Sequence, residues 1–150
     1  MKKKLHIAAY NLNRGKTEYF SVDTHPHMHV VDAICMSISI PFVASTKPYN
    51  GMIYIDGGTK EITPLEPFIG KPAHKVVSFT LRNEEKYIEK INSLFEYVST
   101  FLNRILDFRI DPYAHMKIKH IPVTTGDFNI FKFNMSHDDK LRMYLHGFNQ

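Results

Sequence analysis

The run Ile53-Tyr54-Ile55-Asp56-Gly57-Gly58, with prolines following at Pro64 and Pro67, constrains this chain more than any other stretch. Three β-favouring residues predict a strand, and the glycines end it at a carboxylate. Glycine after a strand permits positive φ and lets another backbone or a ligand come close. Asp56 is therefore expected at the strand's carboxyl end, where open α/β sheets place their chemistry. Asp-Gly after an apolar run is also the sequence of a short hairpin turn, and the local pattern leaves both readings open.

A chain of 150 residues with 43% hydrophobic residues is the size of one ordinary domain and carries enough apolar surface for a core. The formal charge of +4 is spread along the chain except at Lys2, Lys3 and Lys4. No basic stripe suits nucleic acid, whereas a mild excess suits an anionic lipid surface as well as an ordinary soluble one. The single cysteine, Cys35, excludes an internal disulfide, fits a reducing compartment, and is expected to pack as a small apolar group beside Ala33, Ile34 and Met36. With no apolar run near the ~20 residues of a membrane span, and no apolar h-region behind the first lysines, neither a transmembrane helix nor a secretory signal is expected. The expected location is cytoplasmic, or peripheral at membranes.

Leu5 to Leu12 and Thr17 to Val22 read as a β-hairpin across Asn13-Arg14-Gly15. The alternate histidines of His25-Pro26-His27-Met28-His29 have no acidic or cysteine ligand placed beside them, and read as a loop leading into the next helix rather than a metal site. Val30, Val31, Ile34 and Ile38, with Ala33 adjoining, predict a helix from Val30 to Ile40 that Pro41 ends. A turn-rich connection through Asn50-Gly51 leads into the Ile53 strand. Lys75 to Leu81 reads as a short buried strand. The longest regular pattern, from Tyr87 through Leu94, Phe95 and Phe101 to Leu106, predicts an amphipathic helix from about Glu84 to Phe108 capped by Asn83. Lys117 to Val123 reads as a short or edge strand, Thr124 to Asp127 as a turn, and Asn129 to Phe133 as a strand near a sheet edge. Ser136 with Asp139 resembles a capping box, opening a last helix with Leu141, Tyr144 and Leu145 inward and Gly147 at its end. No internal repeat or domain boundary is visible.

The motif inventory removes several chemistries. No serine from Ser21 to Ser136 has the glycines of a Gly-x-Ser-x-Gly elbow, and Gly-x-Gly-x-x-Gly, Cys-x-x-Cys and His-Glu-x-x-His are all absent. Residue pattern alone reaches an α/β domain with a strand-end aspartate.

The succession Asn11-Leu12-Asn13-Arg14-Gly15-Lys16-Thr17-Glu18-Tyr19-Phe20, then Val30-Val31-Asp32-Ala33, Ser37-Ile38-Ser39-Ile40-Pro41-Phe42 and Tyr54-Ile55-Asp56-Gly57-Gly58 with Pro64, resembles the second half of a patatin-like phospholipase domain. The tail, Phe131 to Ser136 ahead of an acidic, lysine-containing helix closing on Gly147, is similar to the end of many such chains. The resemblance implies a three-layer patatin-like α/β fold, related to the α/β-hydrolases, of which 1–150 carries the carboxy-terminal portion. It also implies a Ser-Asp dyad in which Asp56 is the base, supported in its turn by Gly57 and Gly58. The oxyanion loop and the serine elbow are expected to precede residue 1. Ile62 stands where the family usually has an asparagine, which removes a side chain able to order the turn.

Two functional readings follow. In the first, the chain is the aspartate-bearing part of a lipid acyl hydrolase, a phospholipase A-type serine esterase. In the second, it is a catalytically inactive, truncated module that binds a lipid surface or a protein partner. The implied partners are a phospholipid or acyl ester substrate, a peripheral membrane surface, and either a second copy or the amino-terminal half. No cofactor, metal or nucleic acid is implied.

Overall fold

The computed structural model describes residues 3–46, 48–82, 87–107, 113–124 and 134–149. Where the sequence suggests no boundary, the contacts group the chain into two compact units. One comprises Met1–Lys71 with Ile105–His115, the other Pro72–Arg104 with Met116–Gln150.

The first unit is built on the expected hairpin. β1 (Ile7–Asn11) and β2 (Lys16–Phe20) pair antiparallel from Ile7 opposite Phe20 to Asn11 opposite Lys16. Gly15, at φ +65°, takes the left-handed conformation the turn requires, and its amide bonds the Asn11 carbonyl at 2.9 Å. β3 (Tyr54–Asp56) adds antiparallel to the other side of β1, so the order is β2-β1-β3 with β1 central. Strand alternation then puts Ala9, Asn11, Glu18, Phe20, Tyr54 and Asp56 on one face. α1 (Val30–Ser37) packs there, giving a core of Ala9, Phe20, Ala33, Met36 and Tyr54.

Which side of α1 turns inward differs from expectation. Ala33 and Met36 are buried, while Val30, Val31, Ile34 and Ile38 are exposed, as is Cys35, expected to pack. Close approach to a sheet selects the small Ala33 and the pliable Met36 at the contact, and β-branched side chains stay outside it. The connection to β3 is turn-rich as expected: Asn50 and Gly51 both have positive φ, and Tyr49 and Met52 bridge across them.

In the second unit, β4 (Val77–Arg82) and β5 (Lys119–Thr124) form a parallel pair, with Val77 opposite Lys119. Among the described residues β3 and β4 lie in separate sheets. β4 is not the wholly buried strand expected. Val76 and Ser78 are buried, but Phe79 and Leu81, on the alternate face of the strand, are each 70% exposed, with no cover for that face among the described residues.

The long helix is also shorter than its pattern. α2 is Leu94–Asp107, and residues 87–93 are not helical. Ser93 sets the start: its hydroxyl accepts the Glu96 amide at 3.1 Å, while the Glu96 carboxylate reaches back to the Asn92 amide at 2.7 Å. Ser-x-x-Glu is the cap signature the longer apolar stripe obscured, and the expected cap Asn83 lies outside the described residues. The capping box at Ser136 and Asp139 opens α3 (His137–Phe148) as the sequence indicates. That helix runs through Gly147, and Leu141, Tyr144 and Leu145, expected inward, are exposed. Thr124 ends β5, and the rest of the Thr124 to Asp127 turn and the Asn129 to Phe133 strand fall on residues outside those described.

Candidate active site

Asp56 is the last residue of β3, so a strand end rather than a simple hairpin turn carries the carboxylate. It pairs with Ala9, and its amide donates to the Ser39 carbonyl just beyond α1 at 2.9 Å. Ser39, 3% exposed, is itself fixed by donating its hydroxyl to the Cys35 carbonyl at 2.6 Å. The aspartate is therefore held between the central strand and the end of the helix.

The chain then enters a 3-10 turn, Gly57–Thr59. Gly57 has ordinary negative φ, and its need for glycine is steric: a β-carbon there would lie 2.5 Å from the Ala8 carbonyl oxygen. Of the two reasons a glycine can follow a strand, close backbone approach is the one realised. Gly58 lies in the same turn. The Gly57 carbonyl accepts the Lys60 and Glu61 amides at 3.2 and 3.1 Å. On the opposite sheet face the Tyr19 hydroxyl donates to the Glu61 carboxylate. Burial, then the bond to Glu61 and its charge, push the Tyr19 hydroxyl well above the ordinary tyrosine range. These contacts hold the turn.

Sequence reasoning singled out Asp56 but not the network beside it. Glu18 and Asp56 flank Ala9 in one cross-strand row, since Ala9 pairs with both. The Glu18 carboxylate accepts from the Tyr54 hydroxyl at 2.8 Å, from Arg14 at 2.9 Å and from the fully buried Asn11 at 3.2 Å. Burial acts to raise the Glu18 carboxyl, but the bonds from Tyr54 and Arg14, the Arg14 charge and the Asn11 amide outweigh it and hold it below its ordinary range. The Arg14 amide closes the network on the Asn11 side chain at 3.0 Å. The alternation of Asn11 and Glu18 onto one hairpin face was the available signal, and only β3's position joins it to Tyr54.

The histidine loop plays a structural part. Thr24 pins it, bonding Tyr19 O at 2.8 Å and the Ser21 amide at 3.0 Å. The His25 ring lies edge-on to Phe20 with centroids 4.9 Å apart. Among the described residues no group of three or more His, Cys, Asp or Glu is gathered as for a metal ion, and no helix is long and apolar enough to cross a membrane.

The family described as patatin-like phospholipase matches residues 1–69, a segment that contains the hairpin, α1, β3 and the Asp56 turn. The tail resemblance lies outside that match. The probable lipid hydrolase 463L of Invertebrate iridescent virus 6 is 31% identical over 64 residues, covering 43% of this chain and 22% of that protein. The uncharacterized protein R571 of Acanthamoeba polyphaga mimivirus is 27% identical over 161 aligned positions, covering 97% of this chain and 51% of that protein. The chain thus spans about half or less of the length of these relatives.

Proposed function

We propose, from the premise that residues 1–69 are a patatin-like phospholipase segment, that the chain supplies the catalytic base of a lipid acyl hydrolase, with Asp56 as that base. The observation that carries this reading is the placement of Asp56 at the end of β3, between Ala9 and the Ser39 carbonyl, in a turn that Gly57 packs directly on β1. The nucleophile is a serine hydroxyl from outside residues 1–150, since no serine here stands in an elbow. Asp56 accepts the hydroxyl's proton as the serine oxygen attacks the ester carbonyl. When the tetrahedral intermediate collapses, that proton passes to the departing alcohol and an acyl-serine remains. Water then attacks the acyl group with Asp56 again as base, releasing the fatty acid and restoring the serine. The oxyanion donors also come from outside these residues. The substrate class is phospholipid or another acyl ester. The third layer of the patatin-like arrangement would cover the face of β2-β1-β3 opposite α1.

A second reading has one observation in its favour. Leu94, Phe95 and Phe101 of α2 and Phe79 and Leu81 of β4 are exposed, which suits a module that meets a lipid surface, a second copy or the elbow-bearing segment without doing chemistry. The discriminating experiment joins residues 1–150 to a patatin-like amino-terminal half carrying Gly-x-Ser-x-Gly, and assays phospholipid and short acyl esters. Residues 1–150 alone are expected to give background hydrolysis, the joined protein turnover, and its Asp56→Asn variant a loss of at least about 10³-fold with unchanged circular dichroism. Hydrolysis by residues 1–150 alone, or full activity of the Asp56→Asn protein, overturns the assignment of Asp56. A joined protein that folds yet stays inert supports the second reading.

A further inference from the structure

A cavity of about 350 Å³ opens in the first unit at the end of the hairpin away from its turn, and Asp56 is not among its lining residues. Its walls are apolar: Phe20, Met28 and Ala33 on the core side, and Leu5, Val22 and Val30 toward solvent. These last three are 57%, 65% and 53% exposed, so three exposed apolar side chains gather around one opening. The Ser21 hydroxyl and one His25 ring nitrogen in the wall are occupied. The Ser21 hydroxyl meets the Thr24 hydroxyl at 3.2 Å, and a His25 ring nitrogen meets the same oxygen at 3.0 Å. The charges at the lining are of one sign, Lys3 and Lys4. Lys4 pairs with Asp23 at 2.7 Å, whereas among the described residues the ion pairs are Lys4–Asp23 and Arg14–Glu18 and include no partner for Lys3.

We propose that this cavity binds a fatty acid, with the acyl chain against Phe20, Met28, Ala33 and Val30 and the carboxylate at the Lys3 ammonium. The volume lies at the small end of the roughly 300 to 1,000 Å³ of ligand sites, which suits one medium-length chain and excludes a two-chain lipid. An apolar wall alone would accept any amphiphile; Lys3 selects an anionic head. The site is separate from the Asp56 turn and does not depend on the hydrolase reading.

The test measures binding of dodecanoate, below its micellar concentration, to residues 1–150 by titration calorimetry, beside dodecanol and dodecyltrimethylammonium. Dodecanoate is expected to bind, dodecanol more weakly, and the cation not at all. Lys3→Glu should weaken dodecanoate about fivefold, as reversal of one exposed charge pair allows. Val30→Trp fills the opening and should abolish binding, whereas Val31→Trp, on the next helical position and outside the lining, should leave it intact. Circular dichroism checks that both variants fold. Asp56→Asn should bind as the parent does. Absence of dodecanoate binding, equal binding of the cationic amphiphile, or equal behaviour of the two tryptophan variants overturns the proposal. So does a dimer that Val30→Trp breaks and dodecanoate does not, which would assign the cavity to a second copy.

Discussion

Gly57 is pressed against Ala8 so closely that a β-carbon on the glycine would stand 2.5 Å from the Ala8 carbonyl oxygen and 2.8 Å from its carbonyl carbon. Both clashing atoms are backbone of the central strand, so neither can rotate away. Gly57→Ala is expected to pry the Asp56 turn off β1 and cost about 3 kcal/mol in urea denaturation. Hydrogen exchange at the Asp56 amide, bonded to Ser39, should quicken. Gly51→Ala is the contrast: nothing lies within 4 Å of its added carbon, and only its φ of +75° is strained, a cost of about 1 kcal/mol. Equal effects of the two changes would refute the steric account.

Glu18 should make the first unit sensitive to acid. Its folded carboxyl lies below its ordinary value of 4.5, so its contribution is complete above that pH and is lost as pH falls through the folded value. Glu18→Gln keeps the shape but surrenders the charge-assisted bonds, and should lower stability by about 1 to 2 kcal/mol at neutral pH. Denaturation followed downward from pH 4.5 should then be shallower in the variant than in the parent. An unchanged acid slope would show that Glu18 is not the linked group.

Tyr54 gives the alkaline counterpart. Burial, the bond to Glu18 and the Glu18 charge push its hydroxyl from the ordinary 10.0 up to about 12. The stability it contributes is complete below the lower value and is lost as pH rises through the upper one. Absorbance titration should show a tyrosine step near 12 that Tyr54→Phe removes. At neutral pH that substitution should cost about 1 kcal/mol, and less when Glu18 is already Gln, because the Gln has already weakened the bond that Tyr54→Phe removes.

Ser136 caps α3 through the Asp139 amide at 3.1 Å while Asp139 returns a bond to the Ser136 amide at 3.3 Å. Ser136→Ala should cost about 1 kcal/mol, because α3 has no buried residue to hold its first turn instead. The expected readout is faster hydrogen exchange at Asp139, with the β1 and β2 amides unchanged.

Much of the local structure was written in consecutive residues. The Asn13-Arg14-Gly15 turn, the helix starting at Val30, the strand ending at Asp56 and the Ser136 capping box depend on interactions within a few positions, so the pattern that encodes them is contiguous. Inward faces were less legible. The apolar stripe of α1 named Val30, Val31 and Ile34, yet Ala33 and Met36 are buried, because the separation of helix and sheet, not hydrophobicity alone, decides which side chain fits. The stripe from Tyr87 likewise outran α2, since periodicity marks a face but the cap at Ser93 marks a beginning.

By itself the sequence determined that an apolar β-favouring run would lead into Asp56 and two glycines, as a strand end or a hairpin turn, and that no serine elbow lies in these residues. Only the tertiary structure decided why Gly57 must be glycine, that Glu18 and Asp56 flank Ala9, and that Tyr54, Arg14 and Asn11 hold Glu18 charged. Those relationships join positions up to 49 apart in the chain, as between Ala8 and Gly57. Strand pairing brings such residues together through backbone hydrogen bonds that no side-chain pattern records, and the register of β3 on β1 sets which of them meet.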